Sequence, residues 1–175
     1  LSSEEEMKKL SKFDARKPDF DLLAKLIETS IEVKANIVKQ DPTEKGIRKA
    51  LNLGHTIGHA FESYSHETNR PILHGHAVAW GLIGELFLSY KLQGFPQNVM
   101  TETVRFIREN YGVFEITCND YPALYEYMAH DKKNASAGEI NFTLLKGVGD
   151  IIPNCIVEKE LIYQALDFYR DSVGI

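Results

Sequence analysis

The sequence predicts a mainly α fold, a single helical domain with one small β element. Apolar residues recur at helical spacing along most of the 175 residues, whereas strict alternation of apolar and polar residues is confined to a short stretch near residue 140. With 43% apolar residues and six prolines, the composition is that of an ordinary globular protein with one core. We therefore expect one domain over residues 1–175, with disorder confined to its ends.

The first half of the chain is predicted to form three helices, each with apolar side chains at helical spacing. The first is expected to end before Asp41-Pro42, because a proline cannot continue a helix. The third is apolar nearly all round and stops at Gly94, which is typical of a buried central helix. The three predicted helices cover residues 19–39, 44–65 and 77–92.

The second half is predicted to contain three more helices and a hairpin. Ile140, Phe142 and Leu144 alternate with polar residues, so this stretch is predicted to be a strand, with a possible partner over 150–156. The hairpin is expected to be a minor part of the fold. The helices are predicted over residues 97–110, 121–131 and 158–169.

Charge, cysteine content and hydropathy exclude several classes of function. The net charge is −5 with scattered Lys and Arg, so neither nucleic acid nor an anionic membrane is an expected partner. The longest apolar stretch is interrupted by Glu85 and is too short to span a bilayer. Cys118 and Cys155 have no metal-site or redox-motif spacing, which predicts free thiols and a cytoplasmic location.

The most informative feature is a polar stripe on the second predicted helix. At about 100° per residue, five of its side chains fall within an arc of about 80°, and the opposite side is apolar. This arrangement predicts one wall of a binding site, with a solvated surface stripe as the alternative. The stripe consists of Arg48, Asn52, His55, His59 and Glu62.

Two imidazoles four residues apart on a helix can converge on one metal ion, as His55 and His59 would. This spacing alone is weak evidence, because most such pairs are structural. A protease is disfavoured, because Thr56 stands where a zinc protease has its glutamate. Gly54 and Gly58, also four apart, would let another backbone or a ligand approach closely, and both possibilities stay open.

Three segments of the sequence occur in the order found in a known family: residues 41–62, then Leu73-His74-Gly75, then Asp131-Lys132-Lys133-Asn134 before a strand. Together they closely resemble the C-terminal domain of the 3-dehydroquinate synthase family. The resemblance covers essentially the whole chain. Members of that family convert 3-deoxy-D-arabino-heptulosonate 7-phosphate to 3-dehydroquinate in the shikimate pathway, using NAD and a divalent metal, usually zinc. They oxidise a ring hydroxyl, eliminate phosphate, reduce the ketone and close the carbocycle by an aldol step.

The resemblance implies a role for nine residues of this sequence. His55 and His74 would be metal ligands, with the metal acting as a Lewis acid. His59 and Glu44 would be the catalytic groups that move protons. The substrate, an anionic sugar phosphate, would be bound by Lys34, Arg48, Asn52, Lys132 and Lys133.

Two departures qualify these expectations. His76 stands where the family often has glutamate, so the surroundings of His74 are expected to differ. The chain also has no glycine-rich dinucleotide fingerprint, and the family's third metal ligand is an upstream glutamate. We therefore expect the chain, which starts at Leu1 without a methionine, to be the C-terminal half of a synthase, inactive alone and homodimeric at full length.

Three other functions are compatible with these residues. A related sugar-phosphate cyclase would share most of these motifs, and an iron-type metal-dependent polyol dehydrogenase has a similar histidine helix. Arg48, Asn52 and the lysine pair favour a phosphorylated substrate with a carboxylate over a neutral polyol. The non-enzyme alternative is a helical interaction module in which the histidines are structural.

Overall fold

The computed structural model describes residues 3–14, 16–130 and 139–175. In this part of the chain, seven α-helices, two short 3-10 helices and one antiparallel hairpin form the fold. The predicted mainly α class with one small β element is thereby confirmed. The helices are α1 (Glu4–Leu10), α2 (Phe20–Gln40), α3 (His55–Glu67), α4 (His74–Gln93), α5 (Gln97–Tyr111), α6 (Tyr121–Ala129) and α7 (Lys159–Val173), and the strands are β1 (Asn141–Gly147) and β2 (Asp150–Ile156).

Helix α4 is the centre of the domain, as its uniform apolarity predicts. Helices α3, α5 and α7 and strand β1 all pack against it. Ile83 and Leu88 are completely buried, and Trp80 nearly so. The helix ends at Gly94, which adopts the left-handed backbone conformation with φ 72° and so stops the helix without the strain another residue would carry.

The hairpin lies against α4 on one side. Strand β1 pairs with β2, with Leu144 opposite Ile152, so the predicted partner over 150–156 is confirmed. The hydroxyl of Ser89, a buried residue of α4, accepts a hydrogen bond from the backbone N–H of Leu145 at 3.0 Å. This bond fixes the hairpin to the central helix, because a buried polar group without its partner would be costly.

The predicted helix over 44–65 is wrong, because the structure divides it into two elements. Residues Ile47–Asn52 form a 3-10 helix, and α3 begins only at His55. Between them Gly54 has φ 81°, a conformation that glycine adopts without strain and that breaks the helical path. The stripe from Arg48 to Glu62 is therefore not the face of one helix.

Smaller differences lie near the two ends of the chain. Helix α1 was not predicted; the side chain of Ser3 caps it, with glutamates in its first turn and lysines in its last, an order that suits the helix dipole. Helix α7 continues to Val173, four residues beyond its predicted end.

Among the described residues, none of the helices combines the length and apolarity that crossing a bilayer requires.

Helices α3 and α4 approach each other so closely that their backbones touch. A Cβ atom on Gly58 would lie 3.0 Å from the carbonyl oxygen of Ala77 and from the Cα of Val78. A Cβ on Gly81 would lie 2.6 Å from the backbone nitrogen of Gly58. Of the two readings of the glycine spacing, close packing of another backbone is the one that the structure shows.

We expect Gly81→Ala to lower the free energy of unfolding by about 1–3 kcal/mol or more, because the new methyl group must push two backbones apart. Gly75→Ala, on the same helix, is the matched control, since a Cβ there meets no atom within 4 Å. Urea unfolding of both variants measures the difference. Equal stabilities would show that the close contact is not a constraint.

Candidate metal and substrate site

Three histidines from two helices meet at one point. His55 is the first residue of α3, His59 lies one turn later, and His74 is the first residue of α4. One ring nitrogen from each lies within 4.8 Å of the others, and the ring centroids are 5.4, 5.4 and 5.7 Å apart. Imidazole nitrogens at this separation can ligate one divalent ion such as zinc.

The rings of His55 and His74 are each held by a hydrogen bond at Nδ1. In His55 that atom lies 3.1 Å from the carbonyl oxygen of Leu53, and in His74 it lies 3.1 Å from a carboxylate oxygen of Glu62. With the proton on Nδ1 the ring donates to that oxygen, which leaves Nε2 as the lone-pair nitrogen. Metal-binding histidines usually have this second interaction, so the residues present fit a divalent metal.

The site is partly open to solvent. The side chain of His74 is 53% exposed and that of Glu62 29% exposed, while His55 and His59 are partly buried. A ligand could therefore reach the three rings from the surface. The three rings therefore form one side of a site, and another molecule or another part of the protein can form the other side.

Glu44, Arg48 and Asn52 lie together just before α3. The amide of Asn52 donates to a Glu44 carboxylate oxygen at 2.8 Å, and Arg48 Nε lies 3.8 Å from the other oxygen. The guanidinium of Arg48 also donates to the carbonyl of Pro42 at 2.8 Å. The structure thus assembles three predicted site residues, although from a loop and a 3-10 helix rather than from one helix face.

Glu44 and Asn52 line a small polar cleft of about 240 Å³. Its other walls come from the hairpin and from Thr56, whose hydroxyl donates to the carbonyl of Asn141 at 3.1 Å. Lys49 also lines it and donates to the side chain of Asn154 at 2.6 Å. The hairpin therefore helps to shape the cleft. The sequence predicted the hairpin only as a minor part of the fold and gave it no place in the site.

Asp41 shapes the loop that carries Glu44. Its two carboxylate oxygens accept hydrogen bonds from the backbone N–H groups of Lys45, Gly46 and Arg48 at 3.1, 2.7 and 3.1 Å. The bond from Gly46 is the largest cause that lowers the pKa of Asp41 below its ordinary value of 3.8. Glu44 itself has φ 57°, a conformation that is strained for a residue other than glycine. The hydrogen bonds to Asp41 stabilise the loop in this conformation.

Of the three other predicted site residues, one lies within the described part of the chain. Lys34, on α2, lines a mainly apolar cavity of about 390 Å³ together with Leu51 and Leu53. Lys132 and Lys133 lie outside the described residues, so their predicted contacts with substrate stay predictions.

The ring of His76 lies among aromatic side chains. Its ring packs edge-on against Trp80 and Tyr111, with centroids 5.7 and 5.5 Å away. Two residues along a helix is about 200° of rotation, which directs His76 away from the side of His74. The carboxylate at His74 is instead that of Glu62, one member of the polar stripe.

The sequence patterns did not single out one buried residue that contacts the start of α3. Glu85, on α4, is completely buried and accepts hydrogen bonds from backbone N–H groups at the start of α3. Its signal in the sequence is a single carboxylate in the middle of an otherwise apolar helix. Such a residue is rare in a core unless a partner compensates its charge.

The fold and the site together define a helical domain with a metal-type histidine cluster at the start of its two central helices. A family model described as 3-dehydroquinate synthase C-terminal matches residues 2–134. The chain belongs to this family.

Curated relatives give the same result. The chain is 53% identical over all 175 residues to a 3-dehydroquinate synthase of Parabacteroides distasonis, covering 49% of that protein. It is 39% identical over 148 residues to the enzyme of Leptospira interrogans, covering 85% of this chain and 40% of that protein. The chain thus spans about half the length of the curated relatives it matches, or less.

The fold also resembles that of a solved enzyme. A crystal structure of 2-deoxy-scyllo-inosose synthase, complexed with carbaglucose-6-phosphate, NAD+ and Co2+, matches 93% of this chain and 49% of its own chain with a TM-score of 0.68. At 22% identity this similarity establishes a shared fold.

We expect the contribution of Asp41 to stability to depend on pH in a defined direction. Because its folded pKa is lowered below 3.8, the stabilisation is complete above that pH and is lost as the pH falls through the folded pKa. Asp41→Asn should therefore be less stable than the parent at pH 7, and the difference should shrink below pH 3.8. Urea unfolding between pH 2 and pH 7 measures it; a constant difference would contradict this account.

Proposed function

We propose that this chain supplies the metal- and substrate-binding half of a 3-dehydroquinate synthase, which converts 3-deoxy-D-arabino-heptulosonate 7-phosphate to 3-dehydroquinate and phosphate. The observation that carries the proposal is the cluster of His55, His59 and His74, with two rings held at Nδ1, in a chain 53% identical to a curated synthase. The enzyme would be a cytoplasmic lyase of aromatic amino acid biosynthesis. Free Cys118 and Cys155 are consistent with that location.

The metal would be held by Nε2 of His55 and of His74, with zinc the expected ion. A third ligand and the NAD-binding region would come from outside the 175 residues, and the family resemblance implies a homodimer. Bound NAD would exchange a hydride with the substrate ring, and the metal would polarise the hydroxyl being oxidised.

Binding and orientation of the substrate fall to the cationic and amide groups. Arg48 can present two parallel N–H groups to the substrate carboxylate, and its present contacts with Pro42 and Glu44 hold the guanidinium near the cleft. Asn52 would donate to a hydroxyl. Lys34 and the Lys132-Lys133 pair would add positive charge for an anionic ligand.

Proton transfer is assigned to His59 and Glu44. His59 lies within reach of the same point as the two ligands, so it could accept or return a proton at a substrate oxygen beside the metal. The carboxylate of Glu44 is oriented by Asn52 and Arg48, which would fix its direction toward the substrate.

A related sugar-phosphate cyclase is the second candidate, since the fold of 2-deoxy-scyllo-inosose synthase matches most of this chain. The higher identity to curated 3-dehydroquinate synthases favours the first. Turnover assays of the full-length protein with several sugar phosphates separate the two. Activity confined to substrates without a carboxylate would overturn the proposal.

Replacement of the histidines should separate ligation from proton transfer. In the full-length protein, His55→Ala should lose both metal and activity, whereas His59→Ala should keep its metal and lose about 10²–10⁴-fold in kcat. Metal content by mass spectrometry and steady-state kinetics measure the two effects. His66→Ala, an exposed position on the same helix, is the control and should match the parent.

The two assignments can fail separately. Normal metal content in the His55 variant would remove that residue from the ligand set. Loss of metal in the His59 variant would make His59 a ligand rather than a proton-transfer group.

The isolated 175-residue chain should not turn over the sugar phosphate even with NAD and zinc supplied, because two histidines form a weak and open metal site. The full-length protein, assayed in parallel, should be active. Phosphate release measures both. Turnover by the isolated chain would show that the site is complete without further protein.

A further inference from the structure

The buried carboxylate of Glu85 caps the first turn of α3 from the neighbouring helix. Its Oε2 accepts a hydrogen bond from the backbone N–H of Gly54 at 2.6 Å. Its Oε1 accepts from Thr56 at 2.9 Å and from Ile57 at 3.2 Å. These N–H groups belong to the helix start, where donors lack partners within the helix and the helix dipole favours a negative charge.

The cap comes from another helix because the local backbone leaves no room for a side chain. A Cβ on Gly54 would lie 2.8 Å from both the carbonyl oxygen of Val78 and the Cγ of Leu82. The residues that usually cap helices, Ser, Thr, Asp and Asn, therefore do not fit at position 54. Glu85 supplies the missing acceptor from α4.

The three N–H groups that bind Glu85 belong to residues on both sides of His55 in the sequence. Gly54 precedes it, and Thr56 and Ile57 follow it, so the Glu85 carboxylate fixes the backbone on both sides of a proposed metal ligand. The other proposed ligand, His74, is the first residue of the helix that carries Glu85. The same contact therefore connects the backbone around His55 to the helix that begins at His74.

We propose that Glu85 is a positioning residue of the metal site, which holds the start of α3 so that His55 and His74 converge on one ion. This inference rests on the proposed metal-binding function. The effect is transmitted through the backbone of His55, and it predicts a change in metal binding that is separate from any general loss of stability.

Ser89 offers a matched control on the same helix. Like Glu85 it is completely buried, and it donates to the Glu85 carbonyl at 2.7 Å and accepts from Leu145 at 3.0 Å. Its loss would weaken the attachment of the hairpin but leave the carboxylate bonds at the start of α3. A change confined to stability is therefore expected in Ser89→Ala.

The test uses the full-length protein, its Glu85→Gln variant and Ser89→Ala. Glutamine keeps the volume but points an N–H₂ group at backbone donors, so at least one of the three bonds is lost. We expect Co2+ affinity, measured by competition with a chelator, to fall about 10–100-fold in Glu85→Gln. The visible absorption band of bound Co2+ should also shift, while Ser89→Ala keeps the parent affinity and spectrum.

Each outcome decides a different question. Parent affinity and spectrum in a folded Glu85→Gln variant would overturn the inference and leave the proposed function intact. Absence of Co2+ binding in the parent protein would overturn the proposed metal site itself. If Glu85→Gln does not fold, Glu85→Asp serves as the second variant: the shorter carboxylate cannot reach all three N–H groups, and parent affinity there would equally overturn the inference.

Discussion

The backbone contact between α3 and α4 sets the distance between the two histidines that begin these helices. Gly58 packs against Ala77 and Val78, one turn after His74, and Gly81 packs against the backbone of Gly58. Larger side chains at these glycines would move the helices apart by several tenths of an ångström or more, a scale that matters for the proposed metal site, where metal–nitrogen distances would be about 2.0–2.1 Å. The absence of side chains at Gly58 and Gly81 therefore allows the spacing of the two helices on which the positions of His55 and His74 depend.

Close approach of two helices creates a second requirement, which is a partner for the backbone donors at the start of α3. The residue at position 54 must be small and adopt a positive φ, so it cannot cap the helix itself. The buried Glu85 meets this need at the cost of removing a carboxylate from water, a cost that three N–H donors offset. The close packing of α3 and α4, the capping of α3 by Glu85 and the placement of the proposed metal ligands all depend on this one contact.

Much of this organisation could be predicted from the sequence, and the failures have identifiable physical causes. The uniform apolarity of α4 and the alternation in β1 correctly indicated a buried helix and a strand, because both patterns depend on burial alone. The break at Gly54 could not be predicted from helical periodicity, since the pattern of polar and apolar residues continues across it and a single glycine is tolerated inside a helix. In the sequence Glu85 is recognisable only as a charged residue that interrupts an apolar stretch. Its hydrogen-bond partners could not be predicted, because they lie about thirty positions away in sequence.

The central claim is that α3 and α4 bring His55 and His74 to a single divalent ion. Anomalous diffraction from a crystal of the full-length protein, recorded at the absorption edge of bound zinc, tests it most directly. The account predicts one strong peak within about 2.0–2.1 Å of Nε2 of both histidines, with Nδ1 of each still facing Leu53 and Glu62. A peak bound to neither ring, or to only one of the two, would contradict it.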